Sequence, residues 1–330
     1  MSKLFGAWIA VAAIAALASA ASQMDALAPV IAIAIPYAAL AVFLGGLVCR
    51  VVRWSLVPVP FRIPTVCGQQ KSLAWIKSSP LESPHTTAGV VGRMALEVLF
   101  FRSLFRGTKS RLEGKRLVYG ENQWLWLGAM AFHWSLLIVL LRHLRFFAEP
   151  VPRLAVFLDR VDGFMQVGAP VLYMTDLALL AALVYLLVRR LGDSQLRYIS
   201  LFTDYFALSL LLGIGITGVW MRYFARVDAV AVKQLALSLA IFQPSLPKGV
   251  SPLFFAHLGL VATLAAYFPF SKLVHMGGVF LTPTRNLANN NRMKRHVNPW
   301  NYPVKVHTYE EWEDEFRDKI EAAGLPVEKH

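Results

Sequence analysis

The chain has 330 residues, of which 56% are hydrophobic and only 16% are charged. A typical soluble domain carries about 25% charged residues, and uncharged runs of roughly 18 or more residues cross a bilayer as helices, so composition excludes a soluble globular protein. The net charge of +13 does not indicate nucleic-acid binding, because the basic residues fall between the apolar runs. Cys49 and Cys67 form no C-x-x-C motif, which excludes a thiolate-bound iron–sulfur cluster or zinc site within the chain.

Six apolar runs predict about six transmembrane helices, so the expected fold class is all-α, a polytopic membrane helix bundle. The runs cover 4–21, 27–49, 124–147, 165–188, 202–221 and 253–274. The first run also has signal-peptide features, namely Lys3, an Ala-rich core and the sequence Ala18-Ser19-Ala20. Because the chain is present from Met1, we expect an uncleaved anchor.

The placement of Lys and Arg predicts the orientation. We expect segment 50–122, the link after residue 188, the tail and both termini on the cytoplasmic side of a prokaryotic cytoplasmic membrane. The links near residue 25, at 149–162 and at 226–248 then lie outside. The basic residues on the expected inner side are Arg50, Arg53, Arg62, Lys71, Lys77, Arg93, Arg102, Arg106, Lys109, Arg111, Lys115, Arg116, Arg189, Arg190, Arg197, Arg285, Arg292, Lys294 and Arg295.

Residues 86–106, between the second and third runs, alternate apolar clusters with arginines. This pattern is typical of a helix that lies in the cytoplasmic membrane interface. It is equally typical of a helix that packs on a partner subunit, and both interpretations stay open.

The tail predicts a helix over 308–323, with a capping box formed by Thr308 and Glu311 and a stop at Gly324 and Pro326. Its apolar stripe has no core of its own to cover it. We therefore expect the stripe to dock on a cytoplasmic partner subunit, with segment 50–122 as the alternative. The stripe residues are Trp312, Phe316 and Ile320.

Four histidines at the apolar runs are the candidate functional residues. His133 and His143 lie ten residues apart in the third run, and His257 and His275 lie eighteen apart in the sixth. An ionisable side chain in hydrocarbon is costly without a partner and indicates function. A single histidine in an apolar run is more often a core residue whose ring nitrogens are hydrogen-bonded. Two pairs of histidines on two helices instead favour a ligand that the two helices share.

A low-spin haem needs two strong axial ligands on opposite faces, which neutral imidazoles from two facing helices supply. The third and sixth runs are antiparallel in the expected topology. We therefore expect His133 and His275 to bind the iron of one haem b on the cytoplasmic side. His143 and His257 should bind a second haem b on the outer side.

The two spacings do not match on straight helices, since ten residues rise about 15 Å and eighteen rise about 27 Å. Pro269 lies between the two histidines of the sixth run and predicts a kink there. Eighteen residues make five whole turns, so both histidines should share one helix face.

Other polar residues are ambiguous. We expect Asp176 in the middle of the fourth span, either relaying a quinol proton or, as we favour, bonding to a neighbouring helix. Basic residues near the haem levels pair with haem propionates or snorkel to the membrane edge; they are Arg142, Arg145, Arg222 and Lys272. The histidines expected to be solvated are His85, His296, His307 and His330.

The histidine spacing resembles that of the gamma-subunit (cytochrome b) family of respiratory nitrate reductase. In that family such histidines are axial ligands of two b haems, paired crosswise. The resemblance covers the second to sixth runs. The family has five spans and this chain has six predicted ones, so we expect the first to serve assembly rather than electron transfer.

The segments outside the membrane resemble the DsrM family, the cytochrome b membrane subunits of Dsr complexes of dissimilatory sulfite reduction. The matching stretches are TVCGQQKSLAWIKS at 65–78, HTTAGVVGRMALEVLFFRSLFRGTKS at 85–110 and MKRHVNPWNYPVKVHTYEEWEDEFRDKIEAAGLPVEK at 293–329. This resemblance implies a cytoplasmic iron–sulfur partner similar to the catalytic subunit of heterodisulfide reductase, further Dsr subunits, and menaquinone as the exchangeable carrier. It also implies a small sulfur-carrier protein as the end acceptor in sulfite and sulfate metabolism.

We therefore expect an electron-transfer subunit, because the sequence holds no hydride-transfer motif or nucleophile–base pair and the chemistry belongs to cofactors. It divides into two N-terminal transmembrane helices (1–49), an interfacial segment (50–122), a four-helix dihaem core (123–285) and a partner-docking tail (286–330). One alternative is a cytochrome b subunit of nitrate reductase, hydrogenase or formate dehydrogenase type. Another is a haem-free transporter or assembly anchor, although the sequence shows no internal repeat of the kind typical of transporters.

Overall fold

The computed structural model describes residues 2–57, 70–163, 170–290, 293 and 306–328. Several residues of the sequence analysis lie outside these ranges, as do parts of the stretches 65–78 and 293–329. The residues concerned are Arg62, Cys67, Met165, Arg292, Lys294, Arg295, His296 and His330.

The elements follow one another in chain order. The first are α1 (Ser2–Ala21), α2 (Ile35–Ser55, after a π-helical turn at Val30–Ala34), α3 (Thr87–Phe100), α4 (Arg102–Arg106), β1 (Thr108–Glu113) and β2 (Arg116–Glu121). The middle ones are α5 (Gln123–Phe147), α6 (Arg153–Asp162), α7 (Met174–Gly192), α8 (Ser194–Ile199) and α9 (Phe202–Trp220, continued by a π-helical turn at Met221–Ala225). The last are α10 (Ala229–Ala240), α11 (Pro252–Tyr267), two 3-10 turns (Phe268–Phe270 and Lys272–Val274), α12 (His275–Leu281), α13 (Pro283–Asn286) and α14 (Tyr309–Ala322).

Within the described ranges, five helices are long and apolar enough to cross a membrane. They are Ser2–Ala21, Val30–Ser55, Gln123–Phe147, Phe202–Ala225 and Pro252–Phe270. This finding confirms the predicted class, a polytopic helical membrane protein. The predicted fourth span corresponds to α7, a helix of 19 residues that carries Arg189 and Arg190 in its last turn.

The start of α7 differs from the prediction. The helix begins at Met174, nine residues after the predicted position. Pro170 offers no backbone donor and disfavours helical backbone in the residue before it, and residues 170–173 are not helical. Asp176 therefore lies in the first turn of α7 and not in the middle of a span, which corrects the sequence interpretation.

Small residues let α1 pack closely against α9 and α11. A Cβ atom added to Gly213 would lie 2.8 Å from a methyl carbon of Val11, and one added to Gly259 would lie 2.6 Å from the Cβ of Ala18. Such close backbone approach is how membrane helices gain packing contacts without a hydrophobic driving force. The first helix is therefore an integral part of the bundle and braces the helix that carries His257.

The predicted sixth span is broken where Pro269 lies, as the kink prediction anticipated. Helix α11 ends at Tyr267, two 3-10 turns follow, and α12 begins at His275. The two histidines of this run thus belong to separate helices. The expectation that five whole turns of one helix put them on a shared face is therefore wrong.

The segment before α5 also contains a break. The predicted single helix over 86–106 is two helices, α3 and α4, separated by Phe101, whose backbone is left-handed with φ of 49°. The threonine hydroxyl of Thr86 caps α3 by accepting from the Gly89 amide at 3.2 Å. Strands β1 and β2 follow as an antiparallel hairpin in which Thr108 pairs with Glu121.

The tail helix confirms its prediction. Helix α14 begins after Thr308, whose hydroxyl accepts from the Glu311 amide at 3.2 Å while the Glu311 carboxylate accepts from the Thr308 amide at 3.1 Å. The chain turns at Gly324 with φ of 70°. In the part of the chain that the structure describes, α14 does not pack closely on another helix or strand, and its Trp312 is 45% exposed.

Candidate functional site

The four candidate histidines come from three helices. Helix α5 carries His133 and His143, α11 carries His257, and α12 opens with His275. Among the described helices, α5 packs on α7 and α10 but not closely on α11. Side chains, and not helix backbones, therefore bridge the space between the histidine-bearing helices.

The structure brings the histidines together in two crosswise sets. The ring centres of His133 and His275, the first pair, lie 6.0 Å apart with their planes at 84°. His143 and His257, the second pair, lie close enough to interact electrostatically. Each set joins a residue of α5 to one from the broken sixth span.

Three of the four imidazoles point Nδ1 at a backbone carbonyl oxygen. The distances are 2.7 Å from His133 to Ala129, 2.7 Å from His143 to Val139 and 2.8 Å from His275 to Lys272. A carbonyl oxygen only accepts, so the hydrogen-bond network assigns the proton to Nδ1 in each ring. The lone pair of Nε2 is then free in all three.

His257 reaches the same state through a hydroxyl group. Its Nδ1 lies 2.8 Å from the Thr217 hydroxyl oxygen, and that hydroxyl also lies 2.8 Å from the carbonyl oxygen of Gly213. A threonine hydroxyl has one hydrogen, which it donates to the carbonyl, so its oxygen accepts from Nδ1 of His257. All four histidines thus expose a basic Nε2, the form in which imidazole binds a metal.

The other described histidines lack this arrangement. Nδ1 of His85 is buried and has no hydrogen-bond partner within the described residues, and Nδ1 of His307 lies 3.9 Å from the Glu311 carboxylate. The shared orientation is therefore particular to the histidines of the apolar runs.

The first pair fits a metal held between two imidazoles. Rings bound to opposite sides of one metal, with metal–nitrogen bonds of about 2 Å, have centres about 6 Å apart, in agreement with the observed 6.0 Å. Within the described ranges, no three histidine, cysteine, aspartate or glutamate side chains cluster around one point. The donor set is two imidazoles per site, which is what haem iron requires from a protein in a bis-histidine cytochrome.

A buried ion cluster lies beside the second pair. The guanidinium of Arg142, the residue before His143, lies 2.6 Å from the Asp176 carboxylate and 3.1 Å from the Asp162 carboxylate. Its side chain is only 7% exposed. The Tyr223 hydroxyl donates to Asp176 at 3.0 Å, and the Thr175 amide donates to Asp162 at 2.8 Å. We call these five residues, Arg142, Asp162, Thr175, Asp176 and Tyr223, the Arg142 cluster.

The cluster shows the protein partners of Asp176 and Arg142. Asp176 bonds to neighbouring helices, as the favoured interpretation expected. Arg142 does not snorkel to the membrane edge, because two carboxylates surround it and its guanidinium lies 3.7 Å from the Tyr173 ring. Asp162 and Tyr223 could not be predicted as partners of Arg142 from the sequence. They lie outside the apolar runs or at their ends, and only the tertiary fold brings them to Arg142.

The remaining basic candidates also have protein partners. Arg145 pairs with the Asp159 carboxylate, and the guanidinium of Arg222 stacks 4.0 Å from the Tyr173 ring. Lys272 donates to Asp204 at 2.7 Å. These contacts account for the positions of all three side chains without a propionate.

The surroundings of the first pair are aromatic. The rings of Phe101 and Phe132 lie edge-on to the His133 imidazole, with centres 4.9 and 4.8 Å away. Farther out on α3, Arg93 is only 8% exposed, and burial, together with the neighbouring charge of Arg285, lowers the pKa of its guanidinium. Arg93 therefore does not lie on an exposed face of α3. The contact between Phe101 and His133 had no sequence signal, because an apolar residue in an apolar cluster is unremarkable by itself.

Comparison with known proteins places the chain in a family. The family model for the nitrate reductase gamma subunit matches residues 94–296. This range includes all four histidines but not α1 and α2. The expected resemblance, from the second to the sixth apolar run, was longer than this match. A cytochrome b-like subunit of an Hdr-like menaquinol oxidoreductase from Archaeoglobus fulgidus is 46% identical over 273 residues, covering 81% of this chain and 82% of the relative. The subunit of the same description from Archaeoglobus profundus is 40% identical over 276 residues, covering 81% of each chain. The chain thus belongs to the nitrate reductase gamma subunit family and is a homologue of cytochrome b-like subunits of Hdr-like menaquinol oxidoreductases.

Proposed function

We propose that the chain is the dihaem cytochrome b subunit of a menaquinol oxidoreductase complex. His133 and His275 are the axial ligands of one haem b, and His143 and His257 those of a second. The observation that carries the proposal is the common state of the four imidazoles, each with Nδ1 in a hydrogen bond and Nε2 free.

The chain's residues supply binding and orientation, and bound haem iron supplies one-electron transfer. The carbonyl and hydroxyl partners of Nδ1 fix each ring and raise the basicity of Nε2. The two pairs lie at different positions along α5. The two haems would therefore be successive electron-transfer sites along that helix.

We infer the direction of this path in the membrane from the basic segments. The positive-inside bias places segment 50–122 and both termini in the cytoplasm, so the first pair lies toward the cytoplasm and the second toward the outer side. Menaquinol is oxidised beside one of the two haems, in keeping with the names of the Archaeoglobus relatives.

The electrons pass to a cytoplasmic iron–sulfur subunit that resembles the catalytic subunit of heterodisulfide reductase. Two observations support such a partner: the relatives belong to Hdr-like complexes by name, and α14 does not pack closely on another described helix or strand while its Trp312 is 45% exposed. The likeness of the soluble segments to the DsrM family extends the proposal to sulfite and sulfate metabolism, with further Dsr subunits in the complex.

The test is the haem content of the purified chain and of four single variants, His133→Ala, His143→Ala, His257→Ala and His275→Ala. We expect about two haems b per chain in the native protein, by absorbance of the reduced form and by chemical haem extraction. Each variant should lose about half, and redox titration should show that His133→Ala and His275→Ala lose one component while the other two variants lose the second.

His85→Ala is the matched control, because it removes an imidazole outside the two pairs and should keep the native haem content. A native chain without reduced b-type bands would exclude the proposal. If His133→Ala and His143→Ala removed the same component, the pairing would be wrong even though haem is bound.

A further inference from the structure

Phe101 has an unusual backbone for a bulky residue. It stands alone between α3 and α4 with φ of 49° and ψ of 46°, in the left-handed region. This conformation favours glycine and tolerates asparagine, and a bulky side chain persists there only where its surroundings hold it. The left-handed joint turns the chain so that the aromatic ring of Phe101 meets the imidazole of His133 edge-on, with ring centres 4.9 Å apart.

Two tryptophans of α5 fasten this joint to the helix that carries His133. The indole nitrogen of Trp126 donates to the Phe100 carbonyl oxygen at 2.7 Å, and that of Trp134 donates to the Leu99 carbonyl oxygen at 3.1 Å. Both carbonyls belong to the last turn of α3, where helix geometry leaves acceptors without partners. Two side-chain hydrogen bonds therefore hold the joint against α5.

A third anchor ties the joint to the region after His275. The Glu97 carboxylate accepts from the Ser103 amide at 2.9 Å, across the joint, and from the Arg285 guanidinium at 2.5 Å. Arg285 lies in α13, directly after the helix that begins with His275. The segment that presents Phe101 is thus bonded to the helix that bears His133 and to the short helix that follows the one bearing His275.

We propose that Phe101 is a positioning residue for the first pair: its ring covers the side of the pair that faces α3 and α4. It restrains the His133 imidazole there and excludes water. This inference rests on the proposed function, since the covered group is the haem that the pair would hold. An apolar cover around a haem disfavours its more highly charged oxidised form, because reduction potential follows burial and dielectric. The haem of the first pair therefore has a higher midpoint potential with the Phe101 ring in place than without it.

The test is a redox titration of the b-type absorbance of the full-length, haem-loaded chain. Phe101→Gly removes the ring while suiting the left-handed backbone, so the joint should fold. We expect a downward shift in the midpoint potential of the component that His133→Ala abolishes, with no shift in the other component and an unchanged haem content. Phe101→Asn tolerates the same backbone and places a polar group at the site, and it should shift the same component downward.

Two controls separate the ring from the fold. Phe101→Tyr keeps an aromatic ring and should restore the native potential. Phe105→Ala removes a ring that packs on Trp126 with centres 4.9 Å apart and should shift neither component. Unchanged potentials in both Phe101→Gly and Phe101→Asn, or equal shifts of both components, would overturn the inference while leaving the haem assignment intact. A native chain without haem would instead overturn the proposed function, and the inference with it.

Discussion

At the scale of single residues, Arg142 shows how a full charge is accommodated in the membrane-spanning part. Its guanidinium is surrounded by the Asp162 and Asp176 carboxylates and by the Tyr173 ring. Burial of a lone charge in such a place is prohibitive, and pairing compensates for the lost hydration only when the geometry is good. The cluster therefore depends on all of its charges being present together.

We predict that Arg142→Met destabilises the chain by about 3–5 kcal/mol, because it leaves two buried carboxylates without a counter-charge. Thermal unfolding in detergent measures the effect. The triple variant with Asp162→Asn and Asp176→Asn added should recover part of the loss, since it removes the uncompensated charges.

Arg145→Met is the matched comparison, because Arg145 lies in the same helix and pairs with a single carboxylate at a more exposed position. It should cost only about 1 kcal/mol or less. Equal losses for the Arg142 and Arg145 variants would contradict the importance of burial.

At this scale, the sequence could show the four histidines and how they pair, but not the protein groups that hydrogen-bond to their Nδ1 atoms. The four histidines are visible because imidazole is rare and costly in an apolar run. Thr217 is not, since a threonine in an apolar helix normally bonds to its own backbone, and only the fold reveals that its oxygen also accepts from His257. Asp176 was misplaced because hydropathy does not register the effect of Pro170 on the helix start.

At the scale of elements, the close contact between α1 and α11 depends on residues without side-chain bulk. Gly259 lies one half-turn beyond His257, and the space for its Cβ is filled by Ala18. Any side chain there must separate the two helices, because neither backbone can yield locally. The position of His257 thus depends on α1, although α1 holds no ligand.

We predict that Gly259→Ala lowers stability by about 1–3 kcal/mol, the usual cost of overpacking, and reduces the content of the haem assigned to the second pair. Gly45→Ala is the control, because a Cβ at Gly45 meets no atom within 4 Å. Haem extraction and thermal unfolding report both effects. A Gly259→Ala variant as stable as the native chain would show that α1 is only loosely attached.

The elements themselves were largely predictable, for a physical reason. An apolar run long enough to cross a bilayer must be helical, since its backbone groups can only bond to one another. The breaks in the helices were harder to predict. Pro269 indicates the break in the sixth span, but nothing in the sequence indicates that Phe101 takes a left-handed backbone. That conformation is imposed by the contacts of α5 and α13 with α3.

The tail helix α14 provides a separate prediction about assembly. Deletion of 307–330 should release the proposed cytoplasmic iron–sulfur partner while both proposed haems stay bound, because α14 does not pack closely on any described helix that carries a histidine of the two pairs. Co-purification followed by haem and iron analysis measures this. Trp312→Ala with Phe316→Ala should weaken the complex in the same way, whereas Asp314→Ala, at an exposed acidic position, should not. Retention of the partner by the deletion variant would assign docking to another segment.

At the scale of the whole molecule, orientation rests on charge alone, because no contact within the chain depends on which side is inside. Two exposed lysines in turns on opposite expected sides allow a direct test. In a background with Cys49→Ser and Cys67→Ser, Lys248→Cys should react with a membrane-impermeant maleimide in intact cells. Lys115→Cys should react only after lysis. The reverse pattern would invert the topology and exchange the sides of the two pairs.

The break in the sixth span separates the backbone that positions His257 from the backbone that positions His275. Residues 268–274 connect the helix bearing His257 to the helix bearing His275. Within this connection, Pro269 packs against Gly46 of α2. Because residues 268–274 are not α-helical, a change in their conformation can move His275 without altering the helix that carries His257. In a single continuous helix, the periodicity of about 3.6 residues per turn would fix the angle between the two ligands. The geometry of the first pair can therefore change while the helix that carries His257 stays as it is.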